Sequence, residues 1–525
     1  MKSGKWAAKS RSRMASVIAA VVIGAVLTMV AGATNVHAGA VSYASAARFL
    51  QQATFGPTAA DIANLQRIGF SAWFTQQWAA VESRFPAPAL TDNTSLEQQA
   101  FLYNAMNGPD QLRQRMAFAL GQIWVVSGLK LPVDAMQSYL QLLQDNGFAN
   151  YRTVMLNLTL SPSMGSYLDT VNNAKANPVR GTLPNENFAR EFLQLFTIGT
   201  VVLNLDGTPK LDSSGNPITL YSQSDIQTMA RVFTGWTFPT QPGQTAKPYN
   251  PPYYVGPMIP SETIHDTGVK VIFGHTLPAG QTAEQDLAQT LDITFNHPNL
   301  PPFVSLRLIQ HFVTSNPSPS YIQRVATRFI NNGHGVRGDL SAVIQAVLLD
   351  PEARQGDDSV ANQPPTGGHL LEPVIYATEV LRALGATVAA TNSLAGWIGA
   401  MGQRILFPAS VFNYYSPFYQ IPDTALAGPE FQLLTPATAL LRVNFIYAVV
   451  MNQAGTGVTI DLTPYVKVAG DSSQLLSAVD KAFTCGQMPS TMQGYLLTAI
   501  NATSDPATRA QTAVYLAATS GFYQG

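Results

Sequence analysis

Apolar residues recur along most of the chain at the three- and four-residue spacing that places them on one face of an α-helix. Residues 98–127 show this spacing most clearly, and a Gly-Pro-Asp sequence at 108–110 divides them into two predicted helices. Alternation of apolar and polar residues, which is typical of strands, is confined to short runs. Two such runs, between residues 201 and 221, flank turns rich in Gly, Asn and Asp and predict a β-hairpin. The pattern therefore predicts a mainly α fold, a large multi-helix globular fold with small β-hairpin insertions.

Capping residues and glycines set the predicted ends of the other helices. Thr58 precedes a helix with Asp61 in its first turn, and Gly69 ends that helix. Ser224 and Gln227 have the spacing of a capping box, which predicts the start of another helix. The remaining predicted helices cover residues 44–56, 70–81, 133–146, 151–161, 185–199, 282–296, 303–314, 319–332, 339–349, 372–384, 393–401, 436–451 and 472–482.

The helix at residues 185–199 carries the most informative polar pattern. Asn185 follows a proline and can cap the helix, and Gly199 ends it. On a helical wheel one broad arc is apolar and contains Phe188, Ala189, Phe192, Leu193, Leu195 and Phe196. A narrow polar wedge contains Asn187, Arg190, Glu191 and Gln194, flanked by Glu186 and Thr197. This distribution predicts a mostly buried helix with one polar seam, and buried polar groups require partners.

Two interpretations of the polar seam remain open. In one, Glu191 and Arg190 complete a structural ion-pair network. In the other, the seam faces a cavity in which carboxylate chemistry or ligand binding takes place. The loop with His265, Asp266 and Lys270 offers a partner, because an imidazole beside a carboxylate can serve as general base, metal ligand or oriented hydrogen-bond donor. The alternative for this loop is an Asx-type turn that initiates the following strand.

The two stretches together form the candidate site. Glu191 is the expected general acid or base, Arg190 the group that binds an anion, and His265 with Asp266 the metal ligands or proton relay. If they form one site, the side chain of Glu191 lies about 4–8 Å from that of His265 or Asp266. The predicted catalytic residues are Glu186, Arg190, Glu191, His265 and Asp266, and the predicted ligand-binding residues are Asn187, Trp236 and Lys270. The sequence identifies neither a metal nor another cofactor.

Other sequence motifs do not indicate a dinucleotide, calcium or zinc site. The glycines at residues 333–338 match a dinucleotide-binding pattern, but the residues before them predict a helix where that motif needs a strand. Asp206, Asp212 and Asn216 lack the spacing of an EF-hand loop and are assigned to turns. No two histidines after residue 38 lie at i and i+4 on a helix, so no local zinc site is visible. The single cysteine, Cys485, excludes an internal disulfide and is interpreted as a buried structural thiol.

The composition and the N-terminal residues indicate which partners and which cellular location to expect. Charged residues make up 12% of the chain and the net charge is −1, so there is no electrostatic reason to expect nucleic acid or an anionic membrane surface as partner. Residues 1–38 combine a basic start, an apolar run and small residues before Gly39, which predicts a secretory signal peptide and export to the periplasm or medium. A membrane anchor is the alternative, but the run is shorter than the roughly 20 residues of a span. We expect one domain over residues 39–525, and a division into two helical lobes, about 39–200 and 201–525, remains open.

Several long motifs are similar to those of a known family. They include RFLQQATFGPT at 48–58, NENFAREFLQLFTIG at 185–199, ARVFTGW at 230–236, HDTGVKVIFG at 265–274, RLIQHFVTSNPSPSYI at 307–322, GDLSAVIQAVLLDPEAR at 338–354 and MGQRILFPASVFNYYSP at 401–417. Over nearly all of its mature length the chain resembles the bacterial domain-of-unknown-function family 1800. The resemblance implies a secreted, largely helical protein, often encoded beside a second uncharacterised family similar to sulfatases. Residues 410–415, SVFNYY, depart from the Gly-Trp segment of other members.

Two functions are compatible with these observations. The first is an exported enzyme that acts on an extracellular polymer or glycan through the carboxylate and histidine site, with or without a metal. The second is a non-catalytic secreted scaffold that binds the sulfatase-like protein or a cell-surface polymer, and in which the polar seam only locks helices together. A cleft that joins the two stretches favours the enzyme, and a filled seam favours the scaffold.

Overall fold

Helices dominate the computed structural model, which describes residues 41–86 and 94–524. The predicted signal peptide, residues 1–38, lies outside this part of the chain. The first helices are α1 (Tyr43–Ala53), α2 (Ala59–Ala79), α3 (Thr94–Asn107), α4 (Gln111–Ile123), α5 (Val133–Asp145), α6 (Tyr151–Thr159), α7 (Pro162–Tyr167), α8 (Asn187–Glu191) and α9 (Gln223–Val232). They are followed by α10 (Ala283–Asn296), α11 (Leu300–Phe312), α12 (Pro319–Ile330), α13 (Leu340–Leu349), α14 (Pro351–Arg354), α15 (Pro373–Ala383), α16 (Leu394–Ala400), α17 (Pro436–Val450), α18 (Thr463–Val468), α19 (Ser472–Thr484), α20 (Ser490–Ile500), α21 (Pro506–Thr519) and α22 (Gly521–Gln524). The predicted mainly α fold is confirmed.

Capping residues explain where the early helices begin. At the start of α1, the Ser42 side chain accepts a hydrogen bond from the Ser45 amide at 3.1 Å. Thr58 caps the start of α2, as the sequence predicts, and it forms a capping box with Asp61. Gly69 has φ 75° and ψ 168°, a conformation that favours glycine, and it interrupts α2 at the expected position. Local side-chain chemistry therefore fixes the boundaries of these helices.

The capping box at the start of α9 differs from the prediction. Ser222 and Asp225 form the box, and the predicted pair, Ser224 and Gln227, lies inside the helix. The Ser222 amide donates to Asp225 Oδ2 at 2.7 Å, and the Asp225 amide donates back to Ser222 Oγ at 3.3 Å. Both spacings satisfy the pattern of a polar residue followed three residues later by an acceptor, so the sequence alone does not separate them.

Short antiparallel sheets supply the β-structure of the described residues. β1 (Trp236–Thr237) pairs with β2 (Ile259–Pro260), β3 (Lys270–Ile272) with β4 (His275–Leu277), and β5 (Thr387–Val388) with β6 (Val458–Thr459). The hairpin predicted at residues 201–221 does not form two regular strands. That segment contains isolated bridges, including Leu203 to Pro209 and Leu211 to Pro217. Two tight turns, closed by Gly207 N to Asn204 O at 3.0 Å and by Gly215 N to Asp212 O at 3.1 Å, divide the segment into short pieces.

The 185–199 segment is helical over residues 187–197 and buried along its apolar face, but it is not one regular α-helix. α8 continues directly into a π-helical turn at Phe192–Thr197. The amides of Ile198 and Gly199 both donate to the Leu193 carbonyl, at 3.1 and 2.9 Å, which closes the wider turn. Gly199 adopts φ 74° and ends the helix as predicted.

Helix α15 lies in the core and carries charged side chains. Every residue from Pro373 to Arg382 is buried. Helices that are buried on all sides are normally apolar throughout. Here Glu379 is only 2% exposed, and Glu372, directly before the helix, is 3% exposed. Carboxyl groups in such an environment must find partners inside the protein or remain protonated.

The described helices belong to one compact unit, Ser42–Gly525. A division into lobes near residue 200 stays a prediction. None of the helices in the described ranges is long and apolar enough to cross a lipid bilayer.

Candidate functional site

The charged residues at the start of α8 form a hydrogen-bonded network with α9. Arg190 Nη2 donates to Glu186 Oε2 at 3.0 Å and to Gln223 Oε1 at 3.2 Å. Gln223 Nε2 also donates to Glu186 Oε2, at 2.6 Å. The side chains of Arg190 and Glu186 are 39% and 29% exposed. An ion pair with this much exposure contributes little to stability, and its geometry fits a link between two helices.

Asn187 connects α8 to a neighbouring loop. Its amide nitrogen donates to Asp169 Oδ2 at 2.9 Å, and Lys130 Nζ donates to Asp169 Oδ1 at 2.6 Å. The backbone amide of Asn187 is capped by the Asn185 side chain at 2.8 Å, which is the contact predicted for Asn185. The predicted ligand-binding side chain of Asn187 is thus occupied by a protein partner.

Glu191 is the least satisfied member of the polar seam. Its Oε2 atom is buried and has no hydrogen-bonding partner in the described part of the chain. Burial raises the pKa of Glu191, and the nearby charge of Arg190 partly opposes that shift. The phenol groups of Tyr167 and Tyr221 lie near Glu191. Burial is the larger cause that raises the pKa of each phenol, and the negative charge of Glu191 is the smaller one. The carboxyl of Glu191 is therefore a weak acid that faces phenol groups.

His265 and Lys270 meet at a carboxylate that the sequence analysis did not identify. His265 Nε2 lies 3.1 Å from Asp286 Oδ2, and Lys270 Nζ donates to the same oxygen at 2.6 Å. The side chains of His265, Lys270 and Asp286 are 0%, 1% and 0% exposed. His265 Nδ1 lies 2.8 Å from the carbonyl oxygen of Thr234, so both ring nitrogens are occupied. This arrangement is a closed polar cluster beneath the surface.

Asp266 is paired with Arg231 of α9. The guanidinium donates from Nε to Oδ2 at 2.8 Å and from Nη2 to Oδ1 at 3.0 Å, a bidentate geometry. The Gly268 amide donates to Oδ1 at 2.9 Å. Burial favours the protonated carboxyl of Asp266, but the hydrogen bonds from Arg231 and Gly268 outweigh burial and lower its pKa. Asp266 is therefore a partnered carboxylate, and Gly268 closes the Asx-type turn that was the alternative for this loop.

Within the described part of the chain, no hydrogen bond or ion pair connects the two halves of the predicted site. Helix α9 contacts the seam through Gln223 and the His265 loop through Arg231. These two residues are eight positions apart, or about 12 Å along a helix with a rise of 1.5 Å per residue. In the described structure, Glu191 has no hydrogen-bonding or ion-pairing contact with His265 or Asp266. The functional roles predicted for these residues stay predictions.

The remaining sequence-based candidates are Trp236, as a ligand-binding residue, and a metal centre. Trp236 lies in β1 and is 2% exposed, and its indole Nε1 has no hydrogen-bonding partner among the residues described. Within residues 41–86 and 94–524, no group of three or more His, Cys, Asp and Glu side chains is arranged to hold a metal ion.

A polar cleft that the sequence analysis did not identify lies beside α15. Its cavity has a volume of about 160 Å³. The polar lining includes Arg48 and Gln52 from α1, Arg115 from α4, Glu379 from α15, and His369 and Cys485 from neighbouring segments. Charged and amide groups that converge on a cavity are typical of binding and catalytic sites.

Glu379 is the most perturbed carboxyl of the cleft. Burial raises its pKa to about 8, and the positive charge of Arg115 partly opposes this shift. Its Oε1 atom has no hydrogen-bonding partner within the described ranges. The backbone of Gly56, with φ 110°, passes so close that a Cβ there would lie 2.5 Å from Glu379 Cα. Burial without a partner for Oε1 therefore favours the protonated form of Glu379.

Arg115 places a positive charge next to Glu379. The side chain is 1% exposed, and its Nη2 donates to the His311 carbonyl at 2.7 Å. Its guanidinium lies 5.0 Å from the ring centroid of Phe312 and 5.7 Å from that of Phe118. The Nε and Nη1 atoms have no hydrogen-bonding partner in the described chain. Burial lowers the pKa of Arg115, but a guanidinium remains charged in proteins.

Arg48 occupies another part of the cleft wall. Its Nη2 donates at 2.6 Å to the side-chain oxygen of Gln363, with the amide turned so that this oxygen faces the guanidinium. Its Nε lies 3.6 Å from Asp357 Oδ1, and Ser45 Oγ donates to Asp357 Oδ2 at 2.6 Å. Burial lowers the pKa of Arg48 and raises that of Asp357. Both positive groups of the cleft are therefore held in place by protein contacts.

Cys485 lies on the cleft wall without features of a reactive thiol. Its Sγ contacts Gln51 Oε1 at 3.1 Å. Burial raises the pKa of Cys485 to about 12, so the thiolate is disfavoured. This agrees with the interpretation of Cys485 as a structural thiol.

Two features of the sequence could have pointed to residues of this cleft. The predicted helix at 372–384 places Glu372, Glu379 and Arg382 among apolar residues, which is the same kind of polar seam as in the 185–199 helix. The family motif at 48–58 contains Arg48, Gln51 and Gln52 at helical spacing. The sequence pattern does not show that α1, α4 and α15 contact one another. Such contacts between distant helices are formed only in the folded chain.

Comparisons with known proteins identify the family. No curated protein and no solved structure matches the chain. The family model described as protein of unknown function (DUF1800) matches residues 48–525. This match begins within α1, at Arg48, and includes every polar side chain named above for the cleft except Ser45. The chain belongs to the DUF1800 family.

Proposed function

We propose that this protein is an exported enzyme that acts on a polymer or glycan by acid–base chemistry in the cleft. The observation that carries the proposal is Glu379, a buried carboxyl beside a polar cavity with one oxygen unpaired. With its pKa raised to about 8, Glu379 is protonated at neutral pH, as a general acid must be before it acts. The proposal assigns the acid role to Glu379 in place of Glu191.

Arg115 supports this chemistry electrostatically. When Glu379 gives its proton to a leaving oxygen of the substrate, a carboxylate forms in a buried environment. The guanidinium of Arg115 attracts that carboxylate more strongly than the neutral acid, which lowers the free energy of the charged state. The same guanidinium stabilises any negative charge that develops on the substrate nearby.

The size of the cleft restricts how a substrate can enter. Its volume of about 160 Å³ is below the roughly 300–1,000 Å³ of sites that enclose a whole ligand. A polymer would therefore insert one linkage or one substituent while the rest of the chain stays outside. Polar residues from α1 and α4 surround the position at which this group would lie.

Glu379→Gln tests the proposal with a matched control. Protein without residues 1–38 is incubated with peptidoglycan and a panel of bacterial polysaccharides, and newly formed reducing ends are measured. Because general acid catalysis contributes about 10²–10⁴-fold, Glu379→Gln should lower the rate by at least about 100-fold. Glu191→Gln, which removes the weak acid of the α8 seam, should keep the rate of the unchanged protein. Loss of activity in Glu191→Gln alone would instead assign the chemistry to the α8 seam.

A non-catalytic scaffold is the second candidate, and the partnered seam favours it. Glu186, Arg190 and Gln223 bind one another, and Arg231 binds Asp266, so these polar groups join α8, α9 and the His265 loop. Such a scaffold would bind a sulfatase-like protein or a surface polymer. Unchanged co-purification of that partner with Glu379→Gln, together with no turnover of any polymer, would support the scaffold.

Export is part of the proposal and has its own test. The basic start, apolar run and small residues of 1–38 support it. Protein recovered from the periplasm or medium should begin near Gly39 when its N-terminus is sequenced. Recovery of the chain with Met1 in a membrane fraction would contradict export by cleavage.

A further inference from the structure

We infer that a groove beside helices α5 and α6 binds a neutral, hydroxyl-rich sugar chain. The groove has a volume of about 650 Å³, which lies within the roughly 300–1,000 Å³ typical of ligand sites. Its lining shares no residue with the Glu379 cleft. The inference therefore goes beyond the proposed function and holds whether or not Glu379 is catalytic.

Gln137 provides the first observation for this groove. The residue lines it from α5 and is 4% exposed, and its Oε1 atom has no hydrogen-bonding partner among the described residues. A buried amide oxygen without a partner destabilises the folded protein, because it has lost its hydrogen bond to water. A ligand hydroxyl that donates to Gln137 would remove this cost, because hydroxyls are both donors and acceptors.

A second amide reaches the groove from α6. Asn157 lines the groove and donates from Nδ2 to Asn146 Oδ1 at 2.9 Å. This hydrogen bond fixes the orientation of the amide and leaves its oxygen as an acceptor. Gln137 and Asn157 together offer neutral acceptor groups rather than charges, and such groups match the hydroxyls of a sugar.

Apolar side chains form the remainder of the lining. Leu142, Leu156 and Leu160 line the groove and are partly exposed. Tyr254 borders it, and its ring is fixed edge-on by Phe238 at a centroid distance of 5.5 Å. Sugar rings present apolar C–H faces and hydroxyl edges, so apolar and amide groups in one groove complement both parts.

The charges at one end of the groove argue against an anionic polymer. Arg84 is the cation of the lining, and its Nη1 lies 2.7 Å from Glu82 Oε2 and 3.2 Å from Asp145 Oδ1. Gln141 Nε2 donates to the same two carboxylates at 2.9 and 3.0 Å. The positive charge is thus already paired with two negative ones, and a carboxylated or phosphorylated chain would meet repulsion.

Direct binding of defined oligosaccharides tests the inference. The probes are cellohexaose, maltohexaose and chitohexaose, with hexagalacturonate as the charged comparator, and affinity is measured by calorimetry on protein without residues 1–38. We expect at least one neutral hexasaccharide to bind and hexagalacturonate not to bind. Gln137→Leu should weaken binding by at least about tenfold, since a lost polar contact of about 1.4 kcal/mol has that effect. The control Gln323→Leu changes an exposed glutamine on α12 and should bind as the unchanged protein does.

Thermal unfolding of Gln137→Leu separates a binding role from a structural one. If the amide serves a ligand, replacing it by an apolar side chain of similar size leaves the protein equally or more stable. Loss of stability with unchanged sugar affinity would overturn the inference, as would no binding of any neutral hexasaccharide. If Glu379→Gln binds the sugar at full affinity, the groove is upheld as a binding site. If the same variant shows no turnover, the catalytic proposal is upheld independently.

Discussion

At the scale of single residues, two carboxyls of the α15 segment show how partners determine the state of a buried acid. Glu372 Oε1 accepts from Gln122 Nε2 at 2.9 Å, and its Oε2 accepts from Tyr415 at 3.0 Å and from Gln403. Glu379, seven residues later, has an oxygen without such a partner. Burial raises the pKa of both residues, but only Glu379 also faces the cavity. Glu372 is therefore a structural group, and Glu379 is the candidate for chemistry.

Two ion pairs of similar geometry should differ greatly in their effect on stability. Lys270 and Asp286 are 1% and 0% exposed, so Lys270→Ala leaves a buried carboxylate with only His265 as partner. We expect a loss of about 3–5 kcal/mol in unfolding free energy. Arg190→Ala breaks a pair whose side chains are 39% and 29% exposed, and it should cost less than about 1 kcal/mol. Urea denaturation of both variants measures the difference, and equal losses would contradict the buried role of Lys270.

At the scale of elements, helix α8 and its π-turn owe their position to aromatic packing. Phe192 is 0% exposed, and its ring centroid lies 5.3 Å from that of Phe233 and 6.2 Å from that of Trp124. Phe196 stacks on Trp124 at 4.5 Å. Phe188, Phe192 and Phe196 follow one another at a spacing of four residues, so their rings lie on one face of the segment. Tertiary packing therefore sets the local geometry of this segment.

Phe192→Ala should be strongly destabilising for that reason. Emptying a buried aromatic position costs about 3–5 kcal/mol, the transfer energy of the ring plus the cavity that it leaves. Gln323→Ala, at an exposed position of α12, should change stability by less than about 0.5 kcal/mol. Chemical denaturation of both variants measures these changes in unfolding free energy. A loss of less than about 1 kcal/mol for Phe192→Ala would mean that this helix face is not part of the core.

Local elements were predictable from sequence where the signal was local. The break at Gly69 and the cap at Thr58 depend on neighbouring residues, and the structure confirms both predictions. The π-turn at Phe192–Thr197 keeps the same apolar residues buried as a regular helix would, so helical periodicity does not reveal it. The predicted hairpin at 201–221 appears only as isolated bridges, because its Gly, Asn and Asp residues form two separate turns that leave no room for long strands.

At the scale of the whole molecule, the candidate site depends on contacts between distant segments. Arg48, Arg115 and Glu379 come from helices that are separated by tens to hundreds of residues, and no spacing rule relates them. The sequence showed which polar side chains lie on apolar helices, but not which of those helices meet. Asp286 was missed for the same reason, since its partners His265 and Lys270 lie in a loop and a strand outside α10.

The pH dependence of stability tests most directly whether Glu379 is a buried neutral acid. Its carboxyl pKa is about 8 in the folded protein against 4.5 for the ordinary group, so the folded state binds the extra proton between these values. Stability contributed by this group is therefore complete below about pH 4.5, falls by about 1.4 kcal/mol per pH unit as the pH rises, and levels off above about pH 8. Glu379→Gln carries no titrating group and serves as the reference.

The decisive measurement is the unfolding free energy of the unchanged protein minus that of Glu379→Gln, determined by denaturant titration across this pH range. The account predicts that this difference decreases steadily from about pH 5 to about pH 8. A difference that stays constant with pH, or that increases, would show that Glu379 is already ionised in the folded protein. The cleft would then lack the protonated acid on which the proposed function depends.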